Sequence, residues 1–388
     1  MLFRSMADWL TNRNDKKLTA IEIFRSTLNE SVATELAKAI QANTSITKLV
    51  LIGNTMTADF IKLFAKVISH IEITELKLGN NSLGDKELKN LAIGISKSKV
   101  STLDIGNNLI GYEGIAALAD GLPKSNITAL FLEHNRIGPE GTKALAAAIP
   151  NSNITYLQLD GNDVSTEGAK ALANALPNSS INTLSLEHNR IGPEGIKALA
   201  NALPTSNIAD LTLDLNDIGT EEIKALADAL PYSRITELSL AINKIGPKGT
   251  KTLVNSLRNS CVTRLNLAFN DIGKEGENAL VNLMKTNSQI TKLEFMERDM
   301  NLEKKSQTNK DIISKQCALN AQKNVVENAI AGALDLLTRH AGPIDGNITS
   351  VPEVNDLIAE KLFMLDKAKK LNHIKLIKRP HSVINQYA

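Results

Sequence analysis

The chain has 388 residues, 22 % of them charged, with a formal net charge of +2 and only 3 % aromatic residues. Its two cysteines, Cys261 and Cys317, exclude a disulfide framework and point to a reducing compartment. No apolar run approaches the about 18 residues of a membrane-spanning helix, and so small a net charge gives no reason to expect nucleic acid as partner.

The opening residues, Met1 to Trp9, lack an apolar signal core, so no Sec-type signal peptide is expected and a cytoplasmic location is. Residues 1–17 are expected to form an N-terminal cap. From Leu18 a single pattern repeats, starting again at Ile46, Ile73, Val100, Ile127, Ile154, Ile181, Ile208, Ile235 and Val262. That makes ten repeats with a step of 27 residues, except for a first step of 28. Apolar residues at repeat positions one, four and six, such as Ile127, Leu130 and Leu132, predict a short strand. The second half, such as Pro193 to Pro204, has apolar residues at three- and four-residue spacing and predicts a helix. Pro193 suits its start and Pro204 its stop. No repeat can bury its own apolar faces, so neighbours must stack into a solenoid.

Position nine is Asn in nine successive repeats: Asn54, Asn81, Asn108, Asn135, Asn162, Asn189, Asn216, Asn243 and Asn270. A buried Asn has two donors and one acceptor oxygen, enough to bond adjacent coils, so this column is expected to form a ladder. The first repeat has Ser26 there, as a terminal repeat can. The glycines at 84, 111, 138, 192, 219, 246 and 273 read as turn geometry. Ile-Gly-Pro-Glu-Gly is not a phosphate loop, because it recurs with the repeat and lacks the Gly-Lys-Ser/Thr ending.

An eleventh strand, Ile290 to Phe295, closes the array. Polar residues 298–309 mark a boundary between a repeat domain, 18–297, and a C-terminal helical domain, 298–388. The latter holds 14 Lys+Arg against 10 Asp+Glu, and the rest of the chain 30 against 32. Leu319, Val326, Ile330, Leu334 and Leu337 share one face of a predicted helix, and Gly342-Pro343 breaks it. Leu357, Ile358, Leu362, Leu365 and Leu371 continue a second one, so a helical hairpin capping the last repeat is expected.

The pattern Ile-Thr-x-Leu-x-Leu-x-x-Asn-x-Ile-Gly-x-Glu-Gly, with Ala-Leu-Ala after it, resembles the ribonuclease-inhibitor-type class of leucine-rich repeats. That class includes Ran GTPase-activating proteins and the repeat regions of NOD-like receptors. The resemblance covers residues 18–295 and implies an α/β horseshoe that binds proteins. The chain departs from vertebrate ribonuclease inhibitor in having two cysteines instead of many. Its near-uniform repeats and unrelated C-terminal helices are similar to the repeat effectors secreted by intracellular bacterial pathogens, which would imply delivery into a host cell.

Side chains alternate across a strand, so positions three and five face away from the core, with seven and eight at the rim. From the fourth to the ninth repeat these positions hold seven acids and no Lys or Arg: Asp104, Glu133, Asp160, Glu187, Asp210, Asp214 and Glu237. Position seven carries four in a row, Glu133, Asp160, Glu187 and Asp214. Adjacent strands lie about 4.8 Å apart. Neighbouring carboxylates then repel by about 1 kcal/mol in water. A basic partner would relieve that repulsion and associate faster. The alternative is a solvated surface copied by duplication, since residues 132–141 recur identically at 186–195.

His134 and His188 stand beside Glu133 and Glu187, but two repeats apart, too far to share one metal ion; no metal and no cofactor is expected. Phe131, Tyr156 and Phe269 fall at outward positions, where an aromatic can anchor a partner. Cys317 has no obvious His-Asp constellation and reads as a packing residue. Lys361, Lys367, Lys369, Lys370, Lys375, Lys378 and Arg379 read as a solvated face or as a contact for anionic lipid. The expected function is non-enzymatic protein binding on an acidic concave face. Two alternatives are a regulator of a GTPase, or an enzyme active in residues 299–388, and a membrane-surface adaptor using the basic tail.

Overall fold

The computed structural model describes residues 18–295, 311–321 and 324. The expected N-terminal cap, the helical stripe from Val326 onwards and the basic cluster between 361 and 379 lie outside the described residues. The described residues fall into two compact units, one of residues 18–279 with 294–295, the other of residues 280–293 with 311–321 and 324.

In the first unit each repeat is a strand, a turn and a helix, as the pattern requires. Strands Ala20–Phe24, Lys48–Ile52, Glu75–Lys77 and their successors up to Arg264–Asn266 form one sheet, in which the strand order is the sequence order. Pairing is parallel and in register, so each residue faces the residue one repeat away: Leu130 pairs with Leu103 on one side and Leu157 on the other. Parallel pairing without crossover results from the stacking of identical coils. Strands sit about 4.8 Å apart and packed helices about 8–10 Å. The sheet side of this unit is therefore its inner, concave side.

The helices begin as the sequence predicts. Gly138–Ala148 and Gly192–Ala202 carry proline in the first turn, with Glu140 and Glu194 next to it. Proline there loses no needed N–H, and the acid meets the positive end of the helix. Leu145, Leu172, Leu199 and Leu226 are buried one above another. Pro204 falls in a 3-10 turn, Leu203–Thr205, directly after the α-helix.

The asparagine column is a buried ladder. Asn162 Nδ2 donates to the carbonyls of Leu132 (2.8 Å) and Leu159 (3.0 Å). Its Oδ1 accepts the N–H of Asn135 at 3.2 Å, and its own N–H donates to Asn189 Oδ1 at 3.0 Å. A second column, less conspicuous in the sequence, comprises Ser98, Ser125, Ser152, Ser179, Ser206, Ser233 and Ser260. Each hydroxyl donates to a carbonyl three residues earlier, as Ser179 does to Leu176 at 2.8 Å, which ties off the turn from helix to strand.

Position eight is left-handed in all ten repeats: Arg25, Gly53, Asn80, Asn107, His134, Gly161, His188, Leu215, Ile242 and Phe269 have φ between +50° and +69°. There the N–H bonds the next coil; His134 donates to the Asp160 carbonyl at 2.7 Å and Ile242 to that of Ala268 at 2.8 Å.

In the second unit, Ile313, Cys317 and Asn320 form the buried face of the helix over 311–321. Asn320 Nδ2 donates to the carbonyls of Asn287 (3.1 Å) and Ile290 (2.7 Å). Leu319, expected on the apolar stripe, is half-buried. Burial raises the Cys317 thiol pKa, against a hydrogen bond from the Leu293 backbone.

Candidate functional site

The outward side chains of the sheet place the sequence-predicted residues on one face. Phe131 lies between Asp104 and Gln158 in the strand register, and Tyr156 lies two strands from Asp210. Phe131 and Tyr156 form an aromatic pair with ring centroids 4.7 Å apart, tilted by 34°. Both are half-buried. Burial raises the Tyr156 pKa, and the carboxylates of Asp160, Asp210 and Glu133 add to the rise. The aromatic pair therefore sits in a negative field.

The four acids at position seven are of two kinds. Asp160 Oδ1 accepts from the Ser185 hydroxyl (2.6 Å) and the Glu187 N–H (2.8 Å), while Oδ2 accepts from Gln158 at 2.7 Å. Asp214 does the same one double repeat later, with the Ser239 hydroxyl (2.9 Å) and the Ala241 N–H (2.7 Å). These two carboxylates clamp one coil to the next. The short Asp side chain holds its oxygens over the following coil, where a serine stands at position five.

Glu133 and Glu187 are different. Neither pairs with a Lys or Arg among the described residues. Glu133 Oε2 is enclosed and meets no hydrogen-bond donor among them. Burial raises the Glu133 pKa, and the Asp104 and Asp160 carboxylates push it further; its own backbone N–H and His134 oppose the rise. Glu187 is raised by burial first, then by Asp160 and Asp214, against His134 and His188. An acid without a compensating donor costs stability where it is partly desolvated.

Glycines in the adjacent coils make room for the residues of the fifth repeat. A Cβ on Gly106 would stand 2.2 Å from Glu133 Oε1, and one on Gly161 would stand 2.5 Å from His134 Nδ1. Glu133 thus leans over the fourth repeat and His134 over the sixth. His134 and His188 are exposed. Among the described residues no group of three or more His, Cys, Asp or Glu could hold a metal ion.

The remaining predicted residues are more engaged. Asp104 Oδ1 accepts the Gly106 N–H at 3.1 Å. Glu237 forms an ion pair with Arg264. Burial raises the Asp210 pKa, opposed by the charge of Arg264. Towards the start of the array Glu75 pairs with Lys48 (3.3 Å) and Lys77 (3.2 Å). Uncompensated acid is therefore concentrated in the middle repeats, around the aromatic pair.

Two patterns of the rim escaped sequence reasoning, although Phe269, a member of the second, was singled out by itself. At position ten, charges alternate from Arg136 to Asp271, and exposed pairs bridge neighbours: Arg190 with Asp163 (3.1 Å) and Lys244 with Asp217 (2.7 Å). Such exposed pairs contribute about 0–1 kcal/mol each. At position eight the polar or small residues of earlier repeats give way to Leu215, Ile242 and Phe269. A left-handed conformation costs a residue with a Cβ about 1–2 kcal/mol, least for Asn and Asp and nothing for Gly. The fold dictates this conformation but not these residues.

Five segments, residues 96–119, 124–146, 151–173, 178–200 and 258–280, match the family model described as Leucine Rich repeat. Together with the register of the sheet, this makes the chain a leucine-rich-repeat protein. Among solved structures it is similar to that of Rad7 and Elc1 in complex from yeast, at 18 % identity over 71 % of each chain, with a TM-score of 0.54. It is also similar to the leucine-rich-repeat-containing protein LegL7 of Legionella pneumophila, at 18 % identity over 75 % of this chain and 90 % of that one (TM-score 0.44). A third likeness is to actin-binding site 2 of leiomodin-1, at 19 % identity over 43 % of this chain and 97 % of that one (TM-score 0.36). At these identities the likeness concerns the fold alone. No curated protein matches the chain significantly. No helix among the described residues is long and apolar enough to cross a membrane.

Proposed function

We propose that the sheet face of the middle repeats, from Asp104 to Asp214, binds a protein partner through a basic segment or surface. The observation that carries this reading is the pair of uncompensated acids, Glu133 and Glu187, on the same face as the tilted Phe131–Tyr156 pair, whose Tyr156 feels the Glu133 carboxylate. A lysine or arginine brought over those rings would gain a cation–π contact and neutralise the half-buried carboxylates. Charge complementarity of this kind acts mainly on association rate and is screened over about 8 Å at physiological salt.

The test is a partner captured on the full chain, then rate measurements on wild type and the Glu133→Gln/Glu187→Gln variant at two salt concentrations. Asp160 and Asp214 are kept, because they clamp the coils. The expected outcome is slower association at high salt and in the variant, with an unchanged circular dichroism spectrum. Equal affinities without salt dependence would remove the acidic face from the binding surface.

A further inference from the structure

We propose that Leu215, Ile242 and Phe269 form a ridge that docks an amphipathic helix of the protein partner, with the basic end of that helix over Glu187 and Glu133. This deepens the binding role proposed above and rests on it.

The three residues occupy the same position in three successive repeats, with φ of +55°, +54° and +59°. Earlier repeats meet the same backbone demand with Gly53, Asn80, Asn107 and Gly161, which tolerate it better. Ile242 is β-branched, a side chain rarely found in this conformation. Burial of the three is incomplete: Leu215 keeps 37 % of its surface exposed, and Ile242 and Phe269 are half-buried, so each leaves apolar surface for a partner. Position seven changes in the same repeats, from Asp214 to Ala241 and Ala268, both buried. The acid row thus ends where the ridge begins, and small side chains flank the ridge. The rim turns from acidic to apolar, while the strand positions beside it keep the Glu237–Arg264 ion pair.

The spacing selects the occupant. The ridge runs across the strands, with a step of about 4.8 Å. A helix presents a side chain on one face every turn, about 5.4 Å. An extended segment presents one every second residue, about 6.7 Å, which falls out of step after two contacts. The inner strands have both backbone edges paired already, so an added strand has no place there. A helix laid along the ridge places apolar side chains of three successive turns on Leu215, Ile242 and Phe269. Continuing past Leu215, Glu187 is the next coil and Glu133 lies two coils further. At about 1.5 Å per residue and about 3.6 residues per turn, the residues of the same helix face nearest these acids are roughly 11 and 15 beyond the residue on Phe269, within reach of a long side chain. Lysine or arginine there completes the match.

The experiment uses the full chain and two synthetic probes of one composition. The first is an 18-residue peptide with leucines on three successive turns and lysines at the far end; the second is its scrambled sequence, which keeps the charge but not the helical stripe. Wild type should bind the patterned peptide at least tenfold more tightly than the scrambled one. Leu215→Asn/Ile242→Asn/Phe269→Asn should abolish that preference, retain the weak binding of the scrambled peptide, and melt no lower than wild type, since Asn suits the left-handed backbone. Ile242→Asn alone should give an intermediate preference. A triple variant that keeps the preference would overturn the ridge, and so would one that melts several degrees lower, because the residues would then serve the fold. Loss of both peptides in Glu133→Gln/Glu187→Gln supports the acidic end. Wild type that binds both peptides equally refutes the ridge alone, and wild type that binds neither refutes the ridge and the acidic face together.

Discussion

The asparagine column and the acid row lie two residues apart in the same repeats and keep the same period, yet they are committed to the fold to different degrees. Every asparagine of the column is buried, and its amide bonds backbone groups one coil away. In the acid row only every second member is held. Asp160 and Asp214 are bonded into the next coil, whereas Glu133 and Glu187 are not. Periodicity alone therefore does not separate a structural column from a surface one; the partners of each side chain do.

The comparison can be broken most severely at Asn162. Replacement by leucine removes an acceptor for the Asn135 N–H and a donor to two carbonyls of successive coils. Each buried group left unpaired costs about 1–3 kcal/mol, so a loss of about 2–4 kcal/mol is expected. Chemical denaturation measures it, and an unchanged midpoint would show that the ladder is dispensable.

Next in size are the clamps. Asp160→Ala loses three hydrogen bonds to a carboxylate and should destabilise by about 2 kcal/mol, with Asp214→Ala slightly less affected. Glu133→Ala, in the same row, should fall within about 0.5 kcal/mol of wild type. Equal losses at Asp160 and Glu133 would erase the distinction between the two kinds of acid.

The smallest effect concerns pH. The folded-state pKa values of Glu133 and Glu187 are raised above the ordinary carboxylate value, chiefly by burial. The folded state then binds more protons than the unfolded state between the two values, so stability falls as pH rises through that window. The contribution is fully present below the ordinary value and lost above the raised one. Glu133→Gln/Glu187→Gln should flatten this slope and raise stability at neutral pH by a few tenths of a kcal/mol up to about 1 kcal/mol. Melting temperatures of both proteins across the acid range check the sign. A variant with a steeper slope would contradict the assignment.

Much of the fold was legible in the chain. The spacing of Leu130 and Leu132, the proline at 193 and the Asn column specify strand, helix and stacking, because each depends on neighbours within one repeat or on a strict period. The serine column from Ser98 to Ser260 keeps the same step but was not read from it, because serine recurs at other positions of the chain as well. The candidate site was legible only in part. That Asp160 and Asp214 each precede a serine by 25 residues, Ser185 and Ser239, is a signal of the clamps visible in hindsight. Nothing comparable marks Glu133, where Gln158 stands at that spacing.

By itself, then, the sequence determined the repeat, its register and which residues face outward, since a period of 27 with alternating side chains leaves few other arrangements. Only the tertiary structure decided which outward acids are free. A carboxylate is tied or free according to the donors of the adjacent coil, and one methylene of side-chain length separates the bonded Asp160 from the unpartnered Glu133 oxygen.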